Sequence, residues 1–393
     1  MAQDSDPYSR ERDLVESQIE NLLQNFHPGT TNDREFWSLQ YDLGLAWVHF
    51  ARGFGGLGVS PSLGELVATR LAQAGAPSNF ILNPIGIGMG APTVMAHAST
   101  ELSQRLLKPL FLCDEIWCQL FSEPGAGSDV ASVITGAYRD GDEWVINGQK
   151  VWTTLAHASK WGMLLVRTDT GASKHKGLTY FILNMQAKGV EIRPLRQITG
   201  EAEFNEVYLT DVRIPDGHRL GDPGDGWKIA LTTLMNERVS LSGTAAERES
   251  GSIGEAVHLW KSLPEKSSHD RDRLARLWIE AEVSRLVNIR ASQLRLAGTP
   301  GPEGSVGKLI SAELNKKIYN FCVDILGPGG ITYSSYEMSR PASIKIERED
   351  GTRDFPKAFL RSRANSIEGG TSEIMKNIIG ERVLGLPREP TVK

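Results

Sequence analysis

The sequence predicts an α+β fold in three parts, with helices first, strands in the middle and helices again. Apolar residues recur at helical spacing in both outer parts, and short β-rich runs parted by turn residues fill the middle. Strands and helices do not alternate, so a doubly wound parallel sheet is not expected. With 393 residues the chain exceeds what one hydrophobic core usually organises, and two or three domains are expected.

Residues 1–115 read as a helical domain. Arg12 to Asn25 carries Leu14, Val15, Ile19, Leu22 and Leu23 on one helical face, and Leu63 to Ala74 and Ser99 to Cys113 repeat the pattern. Gly53-Phe-Gly-Gly-Leu-Gly58 reads as a loop between them. Residues 116–225 change texture. Strands are predicted at Ala137-Tyr138, Glu143 to Ile146, Lys150 to Thr154, Gly162 to Val166, Thr179 to Met185, Val190 to Ile198 and Glu206 to Ile214. Asp140-Gly141-Asp142 and Asn147-Gly148 are hairpin-turn chemistry, which points to a small antiparallel barrel or sandwich. Residues 226–393 return to helices, from about Trp227, from Asp270 to Leu296, from Ser305 to Leu326 and from Thr371 to Leu384. Loops rich in Pro, Gly and Ser separate these helices, which indicates an antiparallel bundle.

Composition excludes several functions. Lys and Arg number 43 against 48 Asp and Glu, a net charge of −5 with no basic tract, which argues against nucleic acid or an anionic membrane. Mean hydropathy is −0.26, and the longest uncharged stretch, Leu71 to Thr100, is broken by prolines and glycines, so no membrane span is expected. The segment MAQDSDPYSRERD has no apolar core, and no signal peptide is expected. The scattered cysteines Cys113, Cys118 and Cys322 fit a reducing, cytoplasmic setting. No Cys-x-x-Cys and no histidine pair at metal spacing offers a transition-metal site.

Two segments carry a binding signature. In Cys118-Gln-Leu-Phe-Ser-Glu-Pro-Gly-Ala-Gly-Ser-Asp-Val-Ala-Ser132, Pro124-Gly125 favours a turn and Gly127 lets backbone approach a ligand. Ser128 and Asp129 are good caps for a helical turn with free N–H groups. In Asn147-Gly-Gln-Lys-Val-Trp-Thr-Thr154, period-2 alternation places Trp152 and Thr154 on one strand face. An aromatic beside a hydroxyl suits a planar heteroaromatic ring. Gly301-Pro-Glu-Gly-Ser-Val-Gly-Lys308 only imitates a phosphate loop, because its spacing is wrong and no strand precedes it.

These segments, with Phe204-Asn-Glu-Val-Tyr-Leu-Thr-Asp-Val-Arg-Ile-Pro215, Ile367-Glu-Gly-Gly-Thr-Ser-Glu-Ile374 and Gly380-Glu-Arg-Val-Leu-Gly-Leu-Pro387, resemble the acyl-CoA dehydrogenase family of flavoproteins. The resemblance covers nearly the whole chain in matching order. It implies an N-terminal helical domain, a middle antiparallel β-barrel domain and a C-terminal four-helix bundle. The implied cofactor is FAD, lying between β-domain and bundle and reaching a neighbouring subunit. Matched position by position, Gln119, Leu120, Phe121 and Ser122 line the flavin ring, while Gly127 and Ser128 meet the pyrophosphate or the thioester. Trp152 packs on the flavin, Thr153 and Thr154 belong to the same contact, and Thr371 and Glu373 touch the cofactor. The implied reaction oxidises an acyl-CoA thioester to its α,β-unsaturated form. A carboxylate takes the α-proton, a hydride leaves the β-carbon for the flavin, and the position of Gly369 supplies a backbone N–H to the thioester oxygen.

The best-known members carry their glutamate at the position of Gly369. Two acids remain. Glu368 is one residue early. Glu237 lies in a row with Ala230, Leu234 and Leu241 on one helix, where an apolar setting raises the pKa of an acid toward that of a base. A branch resembling the isovaleryl-CoA enzymes uses the position of Glu237, and Arg238 matches a residue that orients the catalytic region. The Arg-x-x-Phe-Gly signature is absent between Gly251 and Asp272, and Asp324-Ile-Leu-Gly-Pro-Gly-Gly330 departs from the family pattern, so the adenine end of FAD is held differently. Three readings follow. One is a homotetrameric or homodimeric dehydrogenase that passes electrons to an electron-transfer flavoprotein. Another is a flavoprotein acting on a non-CoA thioester, and a third is a structural or FAD-sharing subunit of a mixed tetramer.

Overall fold

Amphipathic spacing produces the first helix. In the computed structural model, which describes residues 7–24, 26–27, 29–242, 247–296, 303–333, 335–341 and 353–388, α1 spans Pro7–Gln24 and buries Val15, Ile19 and Leu22 at i, i+4 and i+7. The chain forms two compact units, Met1–Leu195 with Glu203–Asn236, and Arg196–Ala202 with Glu237–Lys393.

In the first unit, α2 (Asp33–Asp42) starts at Asn32, whose side chain accepts from the N–H groups of Arg34 and Glu35 at 3.0 and 3.2 Å. Then come α3 (Gly64–Gln73), α4 (Ala91–His97) and α5 (Thr100–Phe111), the last capped by Ser99. The stretch Gly86–Gly90 is a π-helical turn leading into α4. A Cβ at Gly86 would fall 2.5 Å from Asn83, so close packing explains that glycine.

Eight strands follow: β1 (Trp117–Leu120), β2 (Gly136–Asp140), β3 (Glu143–Thr154), β4 (Trp161–Arg167), β5 (Leu178–Asn184), β6 (Val190–Pro194), β7 (Phe204–Pro215) and β8 (Arg219–Leu220). Their order is β6-β7-β3-β2-β4-β5-β8, with β1 paired to β4 off this path. The expected β-domain is present, but it is not wholly antiparallel, because β1 runs parallel to β4. Gly141, with φ +62°, turns β2 into β3 as the Asp-Gly signal predicts. Asn147-Gly148 is not a turn. It lies inside β3, where the register against β7 shifts, and Asn147 exchanges hydrogen bonds with the Asp211 N–H (2.9 Å) and carboxylate (3.0 Å). Partnered by Asp211, the dipeptide runs on through β3, and the extra residue of this register shift lies on β7.

One core joins these helices and strands. Leu106 and Leu110 of α5, Met163 and Leu165 of β4, Tyr180 and Ile182 of β5, and Ile229 and Ala230 of α6 (Gly226–Ser242) belong to the same buried cluster. Leu120, Leu164, Phe181 and Val207 belong to a second. Both faces of β4 and β5 are covered, which explains their continuous apolar sequences.

The second unit holds α7 (Gly251–Ser262), α8 (Ser268–Leu296), α9 (Glu303–Ile325), α10 (Phe355–Ser362) and α11 (Ser372–Arg382). Its core takes Ala256 and Leu259 from α7, Leu274 and Leu277 from α8, Ile318 and Phe321 from α9, and Ala358 from α10. Gly304, Gly307 and Lys308 are helical residues of α9, which disposes of the phosphate-loop imitation. Among the described residues no helix is long and apolar enough to cross a membrane, and no group of side chains could hold a metal ion. All three cysteines are free.

Asp216, beyond the end of β7, accepts from Arg219 (2.9 Å) and from the Trp144 indole of β3 (2.7 Å). Those bonds, chiefly to Arg219, hold its pKa down at about 2. A depressed acid stabilises the fold above its unfolded pKa and loses that contribution as pH falls through the folded value. Asp216→Asn is therefore expected to flatten the loss of stability between about pH 4 and pH 2, measured by urea unfolding across that range. An unchanged acid profile would contradict the assignment.

Candidate functional site

In the first unit the segment after β1 is held at its back and open at its front. Leu120 and Phe121 turn their side chains into the core, Gln119 and Ser122 are half-buried, and the Ser122 carbonyl accepts from Val151 N–H at 2.9 Å. Glu123 and Ala126 exchange backbone hydrogen bonds of 3.0 and 3.1 Å, closing the turn that Pro124-Gly125 predicts. Gly125, Gly127 and Ser128 are exposed, and a Cβ added at either glycine would meet nothing within 4 Å. No packing among the described residues demands glycine there. Asp129 precedes a 3-10 turn, Val130–Ser132, but does not cap it as expected. Its carboxylate instead takes the Ser132 hydroxyl (2.6 Å) and the Lys174 ammonium (2.5 Å).

The strand opposite is β3. Between Lys150 and Thr153 its register against β7 shifts by one extra residue. Lys150 points inward and is 0 % exposed, while Trp152, at φ +59°, is 57 % exposed. Plain alternation would put these two on one face, and the bulge separates them. From Trp152 onward the alternation resumes. Thr153 is fully buried and its hydroxyl has no partner among the described residues, while Thr154 is half-buried on the side of Trp152, as expected. Phe204, paired with Thr154 across the ladder, meets the Trp152 ring edge-on at 5.8 Å. A left-handed conformation costs a bulky residue about 1–2 kcal/mol, so an exposed tryptophan held in one is a costly arrangement for the protein alone. Leu120, Phe121 and Thr153 can offer a ligand only their backbone.

In the second unit, Gly369 and Gly370 have φ values of +63° and +95°. The chain reverses there, and a glutamate in place of Gly369 would carry a strained backbone. The Thr371 hydroxyl accepts from Ile374 N–H at 3.2 Å and so caps α11, and Glu373 is exposed in its first turn. Glu368 is bound by Arg361 through both oxygens (2.9 and 3.3 Å) and by the Asn365 amide at 2.8 Å. Lys308 of α9 donates to the Asn365 carbonyl. Burial lowers the Lys308 pKa, partly offset by the charges of Glu368, Glu237 and Glu313. Glu237 is half-buried on α6, in a row with buried Ala230 and half-buried Leu234. The side chains of Arg238 and Leu241 lie outside the described residues. Sequence reasoning missed Arg361 and Lys308, which no motif marks, and the support that Phe204 gives to Trp152.

The sequence matches family descriptions along its length: "Acyl-CoA dehydrogenase, N-terminal domain" over residues 9–112, "middle domain" over 118–212 and "C-terminal domain" over 224–384. Acyl-CoA dehydrogenase IpdE1 of Mycobacterium tuberculosis is 38% identical over 349 residues, covering 88% of this chain and 86% of the relative. The crystal structure of the ChsE4-ChsE5 complex from Mycobacterium tuberculosis has a TM-score of 0.71 at 26% identity, covering 99% of this chain and 100% of that one. A glutaryl-CoA dehydrogenase from Mycobacterium smegmatis in complex with FADH2 shares the fold, with a TM-score of 0.68 at 21% identity over 97% of each chain. The chain belongs to the acyl-CoA dehydrogenase family. It is an oxidoreductase whose cofactor is FAD.

The residues present fit that cofactor. The indole of Trp152 offers an open aromatic face, and the hydroxyls of Ser122, Ser128 and Thr154 have no hydrogen-bond partner among the described residues. Gly125 and Gly127 leave room beside the backbone. If ligand contact explains the strained Trp152, then Trp152→Gly should stabilise the apoprotein by up to about 1 kcal/mol while weakening FAD retention. Thermal unfolding of apoprotein and FAD titration check both halves. A loss of several kcal/mol of apoprotein stability would mark Trp152 as a structural residue instead.

Proposed function

We propose that the protein oxidises an acyl-CoA thioester to the 2-enoyl-CoA, with Glu237 as the base that removes the α-proton. The observation that supports this most is the commitment of the competing acid. Glu368 carries a two-point ion pair with Arg361 and an amide bond from Asn365, and a carboxylate so engaged is a poor proton acceptor. Glu237 stands half-buried on α6 in a row with Ala230 and Leu234, a second carboxylate within electrostatic reach of Lys308. Bound FAD supplies the acceptor for the hydride that leaves the β-carbon. Trp152, Ser122 and Thr154 hold the flavin ring through the open indole face and two hydroxyls without a partner among the described residues, and Gly127 and Ser128 admit a phosphate or the thioester. Gly369, in its left-handed turn, presents backbone rather than a carboxylate, which suits an N–H donor to the thioester oxygen. Electrons pass on to an electron-transfer flavoprotein, and the protein works as a homotetramer or homodimer.

A second reading has this chain sharing its site with a different subunit. Two observations favour it: glycine at the family's usual base position, and likeness over the full chain to the ChsE4-ChsE5 complex, an assembly of two different proteins. Under that reading the chain purified alone lacks FAD or turnover and gains them only with a partner.

Anaerobic bleaching of the flavin by a panel of straight, branched and polycyclic acyl-CoA thioesters tests both. The protein alone should bleach with at least one class. Glu237→Gln should slow bleaching by about 10²–10⁴ with FAD still bound, and Glu368→Gln should cost far less. Unchanged bleaching in Glu237→Gln would overturn the base assignment. A colourless, inactive protein that recovers on adding a partner would establish the second reading.

A further inference from the structure

Behind the open face of the first unit lies a buried ion pair that the reaction does not use. Lys150, with no exposed surface, donates to the Leu165 carbonyl at 2.7 Å, to Glu123 Oε1 at 2.8 Å and to the Phe121 carbonyl at 3.1 Å. An ammonium has three hydrogens, and each has one acceptor. Glu123, itself buried, accepts from Ile134 N–H at 2.7 Å through Oε2 and from Thr135 N–H at 3.0 Å through Oε1. One pair therefore ties together the segment after β1, the loop before β2, strand β3 and strand β4.

Its neighbours are the residues read as flavin contacts. The Phe121 carbonyl that Lys150 holds immediately precedes Ser122. Val151, next to Lys150, donates to the Ser122 carbonyl at 2.9 Å, and the following residue is the bulged Trp152. Two charges buried this fully are expensive, and apolar side chains of similar volume often stabilise a fold as well or better. What an apolar pair lacks is direction, because it cannot fix a carbonyl and two N–H groups at hydrogen-bond distance. Contact residues for a ligand need such support from behind to stay within about half an ångström of a working geometry.

We propose that Lys150 and Glu123 are positioning residues that set Ser122 and the Trp152 bulge at the spacing the flavin requires. The Glu123 end favours the charged arrangement in its place, and the Lys150 end opposes it. Burial acts against the Glu123 carboxylate, but Lys150 and the backbone donors outweigh it and hold its pKa below the usual range. Burial brings the Lys150 pKa down to about 8, with Glu123 opposing the shift.

The inference rests on the reading that Trp152 meets FAD, and the test separates the two. Apoproteins carrying Glu123→Gln with Lys150→Met, Glu123→Gln alone, and Trp152→Ala are titrated with FAD, and the unfolding temperature of each apoprotein is measured. The neutral double variant should unfold within a few degrees of wild type yet bind FAD at least about ten-fold more weakly, with Glu123→Gln showing a smaller loss in the same direction. Trp152→Ala should weaken FAD as well. Wild-type affinity in the folded double variant, with Trp152→Ala weakened, overturns the positioning role and leaves the site reading standing. Unchanged affinity in Trp152→Ala overturns the site reading and this proposal with it. If neither Glu123 variant folds, the pair is a requirement of folding and the proposal fails.

Discussion

One extra residue in β3, between Lys150 and Thr153, is the constraint on which the first unit's open face depends. Without it, strict alternation would put Lys150 and Trp152 on the same side of the sheet. The bulge sends the lysine into the interior and the tryptophan outward, and β7 holds the strand in register on either side. The inward lysine meets Glu123, and the outward indole leans on Phe204. Support and surface thus come from residues two apart on one strand, separated by a backbone irregularity of a kind often found beside functional sites.

In the second unit, glycine stands at the position where the resemblance implies a glutamate. Gly369 and Gly370 take left-handed backbone that suits glycine and strains other residues. The adjacent acid, Glu368, is paired with Arg361 and accepts from the Asn365 amide. The remaining acid of the pair, Glu237, sits on α6 near the Lys308 cation. A helix backbone positions a side chain more rigidly than a glycine turn does, so under the proposed function a base on α6 would leave the turn free to present N–H groups.

Much of this was legible in the sequence, for physical reasons that differ by element. Helices α1, α3, α5, α8, α9 and α11 carry long apolar faces, and the Gly141 turn has its Asp-Gly signal. Helices α2 and α10 escaped notice because they are short and depend on burial, as with Phe36, Trp37 and Tyr41 in α2. Asn147-Gly148 misled, since the same residues can make a turn or run through a strand opposite a bulge, and only the partner strand decides between them. The face shared by Trp152 and Thr154 was found, while Thr153 proved to be buried. The roles of Lys150 and Glu123 were out of reach, because which side a lysine faces depends on a bulge that no local pattern announces. The carbonyls that satisfy Lys150 come from residues 15 and 29 positions away.

The central claim, a base on α6 acting on the α-carbon of a thioester, is tested most directly by proton exchange. Acyl-CoA incubated anaerobically with the FAD-loaded protein in deuterated water, and followed by mass spectrometry, reports α-proton removal whether or not oxidation is completed. Wild type and Glu368→Gln should exchange the α-hydrogen, and Glu237→Gln should not. Exchange at the wild-type rate in Glu237→Gln, or its loss in Glu368→Gln alone, would contradict the account.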